Sequence, residues 1–298
     1  MKLSIAVITW NRCEQLIEAL NSCVKCDLPL NTQFVVIDNA STDNTESAIK
    51  NFFKEKNYYY YYEKMAENIG CGNGRNYAYL KSKGDYVYFL DDDAYIDYSK
   101  NKNFFSKAIE IMDSHKEIKT LTTQIYDLAW KKNRVELFGP EISKGIHKIY
   151  MFCGGSHFLC RSFFGNSIPY YPNKYGYEEI FPSLAVYDAN FINAFAEELT
   201  VVHNPLIDKW DRNKKGGIYL YATGLAQNFL MKSTIFPILY TPLNFAALCL
   251  RLAKGCSWSL TKHTISIIIS SHIKKGTRKR LKYSTISNLY KDFQLSIF

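Results

Sequence analysis

Three consecutive aspartates, Asp91, Asp92 and Asp93, end an apolar run in the stretch DYVYFLDDDAYID. Carboxylates this close together repel one another unless a cation neutralises them. Mg²⁺ and Mn²⁺ prefer oxygen ligands, and Mg²⁺ takes only one or two carboxylates and completes its shell with water and phosphate oxygens. The pattern therefore favours a metal and diphosphate site at Asp91 and Asp93. The alternative is a solvated acidic turn in which Asp93 or Asp97 caps a helix.

A glycine-rich segment, IGCGNGRN, precedes the acidic cluster and ends in Arg75. An arginine near a helix start suits phosphate binding, although a plain surface arginine would give the same pattern. The glycine spacing does not match the dinucleotide fingerprint GxGxxG, and the chain has no Gly-Lys-Ser or Gly-Lys-Thr of a P-loop. These two classes of nucleotide-binding protein are therefore poor matches.

The elements that must position these residues alternate between strand and helix through about the first hundred residues. KLSIAVITW, TQFVVIDNAS and DYVYFLDDDA are apolar runs typical of buried strands, and RCEQLIEALNSCV has helical spacing. This alternation predicts an α/β fold in which helices cross over between parallel strands. In such sheets ligands bind beyond the carboxyl ends of the strands.

Polar side chains stand at those strand ends. Thr9, Trp10 and Arg12 close the first strand, and Asp38 closes the second. Together with the acidic cluster they should meet along one edge of the sheet.

Further candidates lie downstream, where the periodicity is less clean. Gly154 and Gly155 form a pair between apolar residues, and Glu178 and Glu179 stand at the start of a predicted helix. An acidic first helical turn is also favoured by the helix dipole alone. AEELTVVHNP reads as a strand that ends at His203, which is a candidate ligand or a packed strand-end histidine.

These segments, in this order, resemble family 2 glycosyltransferases with the GT-A fold: AVITWNR, VVIDNASTDNT, ENIGCGNGRNYA, YVYFLDDDA, CGGSHFLCRSFF, GYEEIFPSLA and TVVHNP. The resemblance implies a GT-A domain over residues 1–215, with a mostly parallel central sheet flanked by helices. Residues 216–298 would form a helical, basic C-terminal extension.

The implied activity is that of an inverting, metal-dependent hexosyl-type transferase. It would move a sugar from a nucleotide-sugar donor of the UDP or dTDP type to an acceptor hydroxyl on a glycan or lipid-linked glycan. That reaction would serve surface polysaccharide or glycolipid assembly.

The resemblance also implies roles for individual residues. The metal, Mn²⁺ or Mg²⁺, would be held by Asp93 together with Asp91 and His203. The residues near the donor would be Thr9, Trp10, Arg12, Asp38, Arg75, Asp91, Asp92, Gly154 and Gly155.

The expected base is where the chain departs from the family. Relatives commonly carry Glu-Asp with the Asp as base, whereas this chain has Glu178 and Glu179. Position matching favours Glu179, with one extra methylene of reach. The departure leaves open a catalytically silent GT-A-like module that binds carbohydrate or nucleotide.

Charge is uneven along the chain, which carries a formal net charge of +9. The stretch HTISIIISSHIKKGTRKRLK pairs an apolar run with a basic block, which suits an anionic membrane surface or, alternatively, packing helices with a solvated basic face. IFPILYTPLNFAALCL is too short and too interrupted by proline for a spanning helix. No nucleic-acid partner is expected, because no zinc, RNP-like or helix-turn-helix signature occurs.

The compartment is inferred from the N-terminus and the cysteines. MKLSIAVITWNR lacks the apolar region and cleavage site of a signal peptide, so the eight cysteines are expected to be reduced thiols. We expect a cytoplasmic protein, with peripheral association at the inner face of the cell membrane as an open alternative.

Overall fold

The computed structural model describes residues 1–134, 137–173, 176–205, 215–270 and 279–298. Its first part alternates strand and helix as predicted. The elements of this part are β1 (Leu3–Thr9), α1 (Cys13–Lys25), β2 (Gln33–Asp38), α2 (Thr45–Lys56), β3 (Tyr59–Lys64), α3 (Cys71–Lys81), β4 (Tyr86–Leu90), β5 (Ala94–Ile96) and α4 (Phe104–Ser114).

The second part adds shorter strands and the C-terminal helices. These elements are β6 (Ile118–Asp127), β7 (Lys132–Asn133), β8 (Phe138–Ser143), β9 (Ile146–Ile149), β10 (Ser156–Cys160), α5 (Arg161–Phe164), α6 (Ile180–Asp188), β11 (Ile192–His203), α7 (Lys215–Ile235), α8 (Thr241–Gly255), α9 (Trp258–Ser270) and α10 (Tyr283–Phe293).

The described strands form one sheet in the order β3-β2-β1-β4-β10-β6-β11-β9-β8. Strands β3, β2, β1 and β4 are parallel, and Thr9 lies opposite Asp38 where β1 and β2 end. Strand β10 runs antiparallel between β4 and β6, while β6 and β11 are parallel. The predicted α/β class, with a mostly parallel central sheet flanked by helices, is confirmed.

Both faces of the central sheet are covered, which explains why its strands read as unbroken apolar runs. Side chains alternate along a strand, so Leu3, Ile5 and Val7 of β1 join the core cluster that includes residues of α1, α2 and α4. Ala6 faces the opposite side, in the cluster that includes Ala78 of α3.

Helix α3 lies unusually close to the rest of the fold because its first turns contain glycine. A Cβ at Gly74 would stand 2.9 Å from Ile8 Cγ2, and one at Gly72 would stand 2.4 Å from the Tyr171 carbonyl oxygen. Both distances are shorter than side chains tolerate, so glycine permits the approach. Gly72 and Gly74 of the glycine-rich segment thus lie within the helix, with Arg75 on its second turn.

The described residues after 215 are mostly helical, as expected. Their apolar side chains share a core cluster with residues that precede position 215. The cluster includes Ile180 and Phe181 of α6, Met231 of α7, and Ile286 and Leu289 of α10. The division into domains at residue 215 stays a prediction. Within the described residues, no helix has the length and apolar character needed to cross a bilayer.

Part of the predicted membrane segment falls outside the described residues. The basic side chains Lys274, Lys275 and Arg278 belong to that part.

Candidate active site

The acidic cluster lies at the carboxyl edge of the sheet, directly after β4. Strand β5 then pairs antiparallel with β11, with Ala94 opposite His203. This register brings Asp93 next to His203, whose Nε2 stands 3.2 Å from Asp93 Oδ1. Candidate ligand atoms of Asp91, Asp93 and His203 all lie within 4.8 Å of one another.

The donor set at this edge fits a divalent cation. Two carboxylates and one imidazole supply oxygen and nitrogen atoms of the kind that bind divalent metals in proteins. Within the part of the chain that the structure describes, no other group of three or more acidic, histidine or cysteine side chains is close enough together to hold a metal ion.

Asp127 orients the imidazole of His203 and was not identified from the sequence. It ends β6, which runs parallel to β11 with Asp127 opposite His203, and its Oδ1 lies 2.5 Å from His203 Nδ1. Arg134 Nε lies 3.1 Å from the other oxygen of Asp127. The Nδ1 contact turns Nε2 towards Asp93, as a second-shell carboxylate does for a metal-binding histidine. The signal that could have found Asp127 is the β-branched run TLTTQIYD, which ends in an acid as β2 does at Asp38.

Burial opposes the charged form of His203, but Asp127 and Asp93 more than compensate and raise its pKa to about 9. Burial also opposes ionisation of Asp91, yet Arg75 and His203 hold the pKa of this carboxyl below its usual value. Neighbouring charges therefore favour the ionised forms of His203 and Asp91 in spite of their burial.

Arg12 relieves part of the repulsion in the acidic cluster. Its Nη1 lies 2.7 Å from Asp92 Oδ1 and 3.0 Å from Asp93 Oδ2. Burial, with the adjacent charge of Asp93, raises the pKa of Asp92 to about 6 in spite of Arg12. The structure thus gives Arg12 and Asp92 an internal ion pair, and their predicted contact with a donor stays a prediction.

Arg75 is the centre of a second cluster and contacts three carboxylates. Its Nη1 donates to Glu178 Oε1 and Glu179 Oε1, each at 2.8 Å. Its Nη2 donates to Asp91 Oδ1 at 2.9 Å and to the Gly154 carbonyl oxygen at 3.0 Å. The arginine side chain is only 5% exposed, so it acts as an internal bridge between the acidic cluster and the glutamate pair. A contact between Arg75 and the donor stays a prediction.

The two glutamates directly precede α6 and differ in environment. Burial and the neighbouring Glu178 raise the pKa of Glu179 to about 7, although Arg75 acts in the opposite direction. Glu178 is more deeply buried, and its Oε2 has no hydrogen-bond partner among the described residues. Glu179 therefore has the properties of a base that gains and loses a proton near neutral pH.

The two predicted glycines hold the backbone close to these carboxylates. A Cβ at Gly154 would lie 1.9 Å from Glu179 Oε1, a distance that excludes any side chain in this arrangement. The backbone N–H of Asp91 donates to the Gly155 carbonyl oxygen at 3.0 Å. Glycine at position 154 thus leaves room for the carboxylate of Glu179, the candidate base.

The remaining predicted residues line the same edge. Thr9 is buried at the end of β1, and Trp10 is 44% exposed beside it. Asp38 is fully buried, and its carboxylate accepts hydrogen bonds from the Ser41 backbone N–H and the Tyr62 hydroxyl. All predicted site residues meet along this edge or directly behind it, and their contacts with a donor stay predictions.

The fold is that of GT-A glycosyltransferases. Solved structures that it resembles include residues 1–349 of Staphylococcus aureus TarS in complex with UDP-GlcNAc, with 18% identity and a TM-score of 0.64 over 89% of this chain and 79% of that one. Another is the mannosyltransferase PcManGT from Pyrobaculum calidifontis in complex with GDP-Man and Mn²⁺, with 16% identity and a TM-score of 0.62 over 97% of this chain and 79% of that one.

The family is shown by sequence. Residues 4–169, more than half of the chain, match the model of glycosyl transferase family 2, so the chain belongs to that family. The S. aureus poly(ribitol-phosphate) β-N-acetylglucosaminyltransferase TarS is 35% identical over 118 residues, which are 39% of this chain and 19% of TarS. The Campylobacter jejuni GalNAc(5)-diNAcBac-PP-undecaprenol β-1,3-glucosyltransferase is 32% identical over 92 residues, 31% of this chain and 29% of the relative. The chain therefore spans less than a third of the length of these curated relatives.

Proposed function

We propose that the protein is an inverting glycosyltransferase that moves a sugar from a nucleoside-diphosphate sugar to an acceptor hydroxyl. The observation that carries the proposal is the joining of two clusters by one buried guanidinium. Asp91, Asp93 and His203 form a candidate metal site, and Arg75 ties Asp91 directly to Glu179. A leaving-group site next to a base is the arrangement that a single displacement needs.

Asp91, Asp93 and His203 would hold Mn²⁺ or Mg²⁺, which when bound supplies positive charge to the departing diphosphate. Glu179 accepts the proton of the attacking hydroxyl, a contribution of about 10²–10⁴-fold in rate. Its pKa of about 7 suits this role, because much of it is ionised at neutral pH while it still accepts a proton readily. One displacement from the face opposite the leaving group inverts the anomeric configuration.

The relatives support the donor and acceptor that we propose. TarS was solved with UDP-GlcNAc, and the C. jejuni relative is named for transfer to an undecaprenol-linked glycan. We infer a donor of the UDP or dTDP type and an acceptor that is a glycan or a lipid-linked glycan. Peripheral association with the inner face of the cell membrane belongs to the same proposal.

The test combines nucleotide binding with turnover. Thermal shift of the purified full chain is measured with UDP, dTDP and GDP, each with and without Mn²⁺, and release of nucleoside diphosphate is followed with the matching sugar donors. Asp93→Ala should lose the Mn²⁺-dependent shift and the turnover. The matched control is Asp85→Ala, which removes an exposed acid at the opposite end of β4. A metal-dependent shift that persists in Asp93→Ala contradicts the assigned site.

A silent binding module is the second candidate, and one observation favours it. Arg75 donates to both Glu178 and Glu179. The guanidinium charge acts to lower the pKa of Glu179, against the effects that raise it, and so weakens Glu179 as a base. Such a module would bind a nucleotide with Mn²⁺ and release no diphosphate from any donor. Release of diphosphate by the wild type would exclude the module. Loss of that release in Glu179→Gln, with nucleotide binding retained, would assign it to the candidate base.

A further inference from the structure

Helix α8 buries only one narrow stripe of its surface. Asn244, Leu248 and Leu252, spaced four residues apart, are its buried residues, and the two leucines pack with Leu225 of α7. At about 100° per residue, the exposed positions cover roughly half of the helix circumference. A soluble helix places polar residues on such a face.

On α8 this face is apolar. Every exposed side chain between Pro242 and Ala253 is apolar, and Phe245 and Leu250 are 56% and 63% exposed. The face, called here the α8 apolar face, consists of Pro242, Leu243, Phe245, Ala246, Cys249, Leu250 and Ala253. Arg251 and Lys254 lie at one border of it.

Large apolar side chains also flank the helix at both ends. Ile238 and Leu239, in the 3₁₀ turn before α8, are 66% and 71% exposed, and Trp258 at the start of α9 is 71% exposed. Single exposed apolar residues are ordinary, whereas a helix face with flanking aromatic and aliphatic residues marks an interaction surface.

The part of the sequence that contains α8 carries charge of one sign. Residues 212–291 contain no Asp or Glu. Among the described residues, the cations near the face include Arg251, Lys254 and Lys262, and Lys262 Nζ lies 5.3 Å from the centre of the Trp258 ring. An amphipathic aromatic ring beside basic side chains is typical of the boundary between lipid headgroups and acyl chains.

We propose that the α8 apolar face docks on an anionic lipid surface, with α8 lying in the plane of the headgroups. Apolar side chains would enter the acyl boundary while Arg251, Lys254 and Lys262 contact anionic headgroups. A second copy of the chain suits the face less well, because two such faces would bring like charges together. This surface differs from the predicted basic block, part of which lies outside the described residues.

The docking helices are linked, through α7, to the segment that carries the candidate base. Tyr177, the residue before Glu178, packs its ring against Gly224 of α7. A Cβ added to Gly224 would lie only 3.1 Å from Cε2 of that ring. Helix α7 in turn packs against α8 and α9. Docking would therefore hold the glutamate pair near the membrane surface, where a lipid-linked acceptor resides. The docking deepens the membrane association included in the proposed function, and the link to the acceptor rests on the proposed transfer.

The experiment is co-sedimentation of the purified full chain with phosphatidylcholine vesicles, with and without phosphatidylglycerol. The wild type should sediment with the anionic vesicles. Phe245→Glu and Leu250→Glu should each lower the partition coefficient by at least about tenfold, since each places a charge where an apolar side chain would enter the acyl boundary. The matched control is Leu30→Glu, at a loop leucine that is 92% exposed, which should bind as the wild type does. Lys254→Gln should weaken binding only to the anionic vesicles.

Equal sedimentation of Leu250→Glu and wild type would overturn the proposal, as would a wild type that stays in solution with both kinds of vesicle. A dimer that Leu250→Glu dissociates, without vesicle binding by the wild type, would assign the face to a second copy instead. Melting temperatures of the variants confirm that they fold. Asp93→Ala should bind vesicles like the wild type, so loss of transfer and loss of docking are distinguishable.

Discussion

Replacement of the candidate base by its amide, Glu179→Gln, should make the protein more stable at alkaline pH and inactive at the same time. The Glu179 side chain is only 14% exposed, and burial with the charge of Glu178 raises its pKa from an ordinary value of 4.5 to about 7. A carboxyl with a raised pKa binds more protons in the folded state than in the unfolded one. Stability therefore falls as the pH rises from about 4.5 to about 7.

The magnitude follows from that difference. At about 1.4 kcal/mol per pH unit, ionised Glu179 costs the fold about 3 kcal/mol at pH 8. Glutamine keeps the shape and an acceptor oxygen for Arg75 but carries no charge to desolvate. For a chain of this size the gain corresponds to a melting temperature higher by about 5 °C at pH 8. At pH 5 most of the difference should disappear, because Glu179 is then protonated in the folded protein.

The assay is thermal unfolding of wild type and Glu179→Gln at pH 5 and pH 8, with turnover measured on the same samples. Glu55→Gln is the matched control, since Glu55 is exposed on α2 and should change neither quantity. Equal melting temperatures at pH 8 would refute the burial argument. Turnover retained within about tenfold would refute the assignment of the base.

Three other predictions follow from the same cluster. Arg75→Met should destabilise the fold by about 3–5 kcal/mol, since it leaves buried carboxylates without a partner, and a denaturant titration measures the loss. The loss should shrink at low pH, where Glu179 binds a proton. Gly154→Ala should reduce turnover by at least about tenfold, because its Cβ would occupy the position of Glu179 Oε1, while Gly255→Ala on α8 meets only ordinary contacts and serves as control. In the wild type, turnover should rise with pH through an apparent pKa near 7, as Glu179 loses its proton, and a flat profile between pH 6 and pH 8 would contradict this.

The local pattern of apolar residues was sufficient to predict a strand where the strand is buried on both faces of the sheet. Strands β1, β2 and β4 are unbroken apolar runs, and the polar residues that end them could only meet at the carboxyl edge of a parallel sheet. The pattern was insufficient between residues 120 and 190. Strand β8 there is exposed or half-buried and contains Gly139 and Pro140, so neither alternation nor β-branching marks it.

The sequence by itself determined the sheet edge at which Asp91 and Asp93 lie. Burial of a strand follows from its run of apolar residues, and parallel strand direction follows from the alternation of strand and helix. Only the tertiary structure decided their partners. Arg75 meets Glu179 across 104 positions of the chain, and Asp127 meets His203 because β6 and β11 are paired in one particular register. Contacts of this kind depend on strand register and on how closely α3 approaches the sheet. Neither follows from the periodicity of one segment, since a buried polar side chain is satisfied by whichever distant group the packing brings within reach.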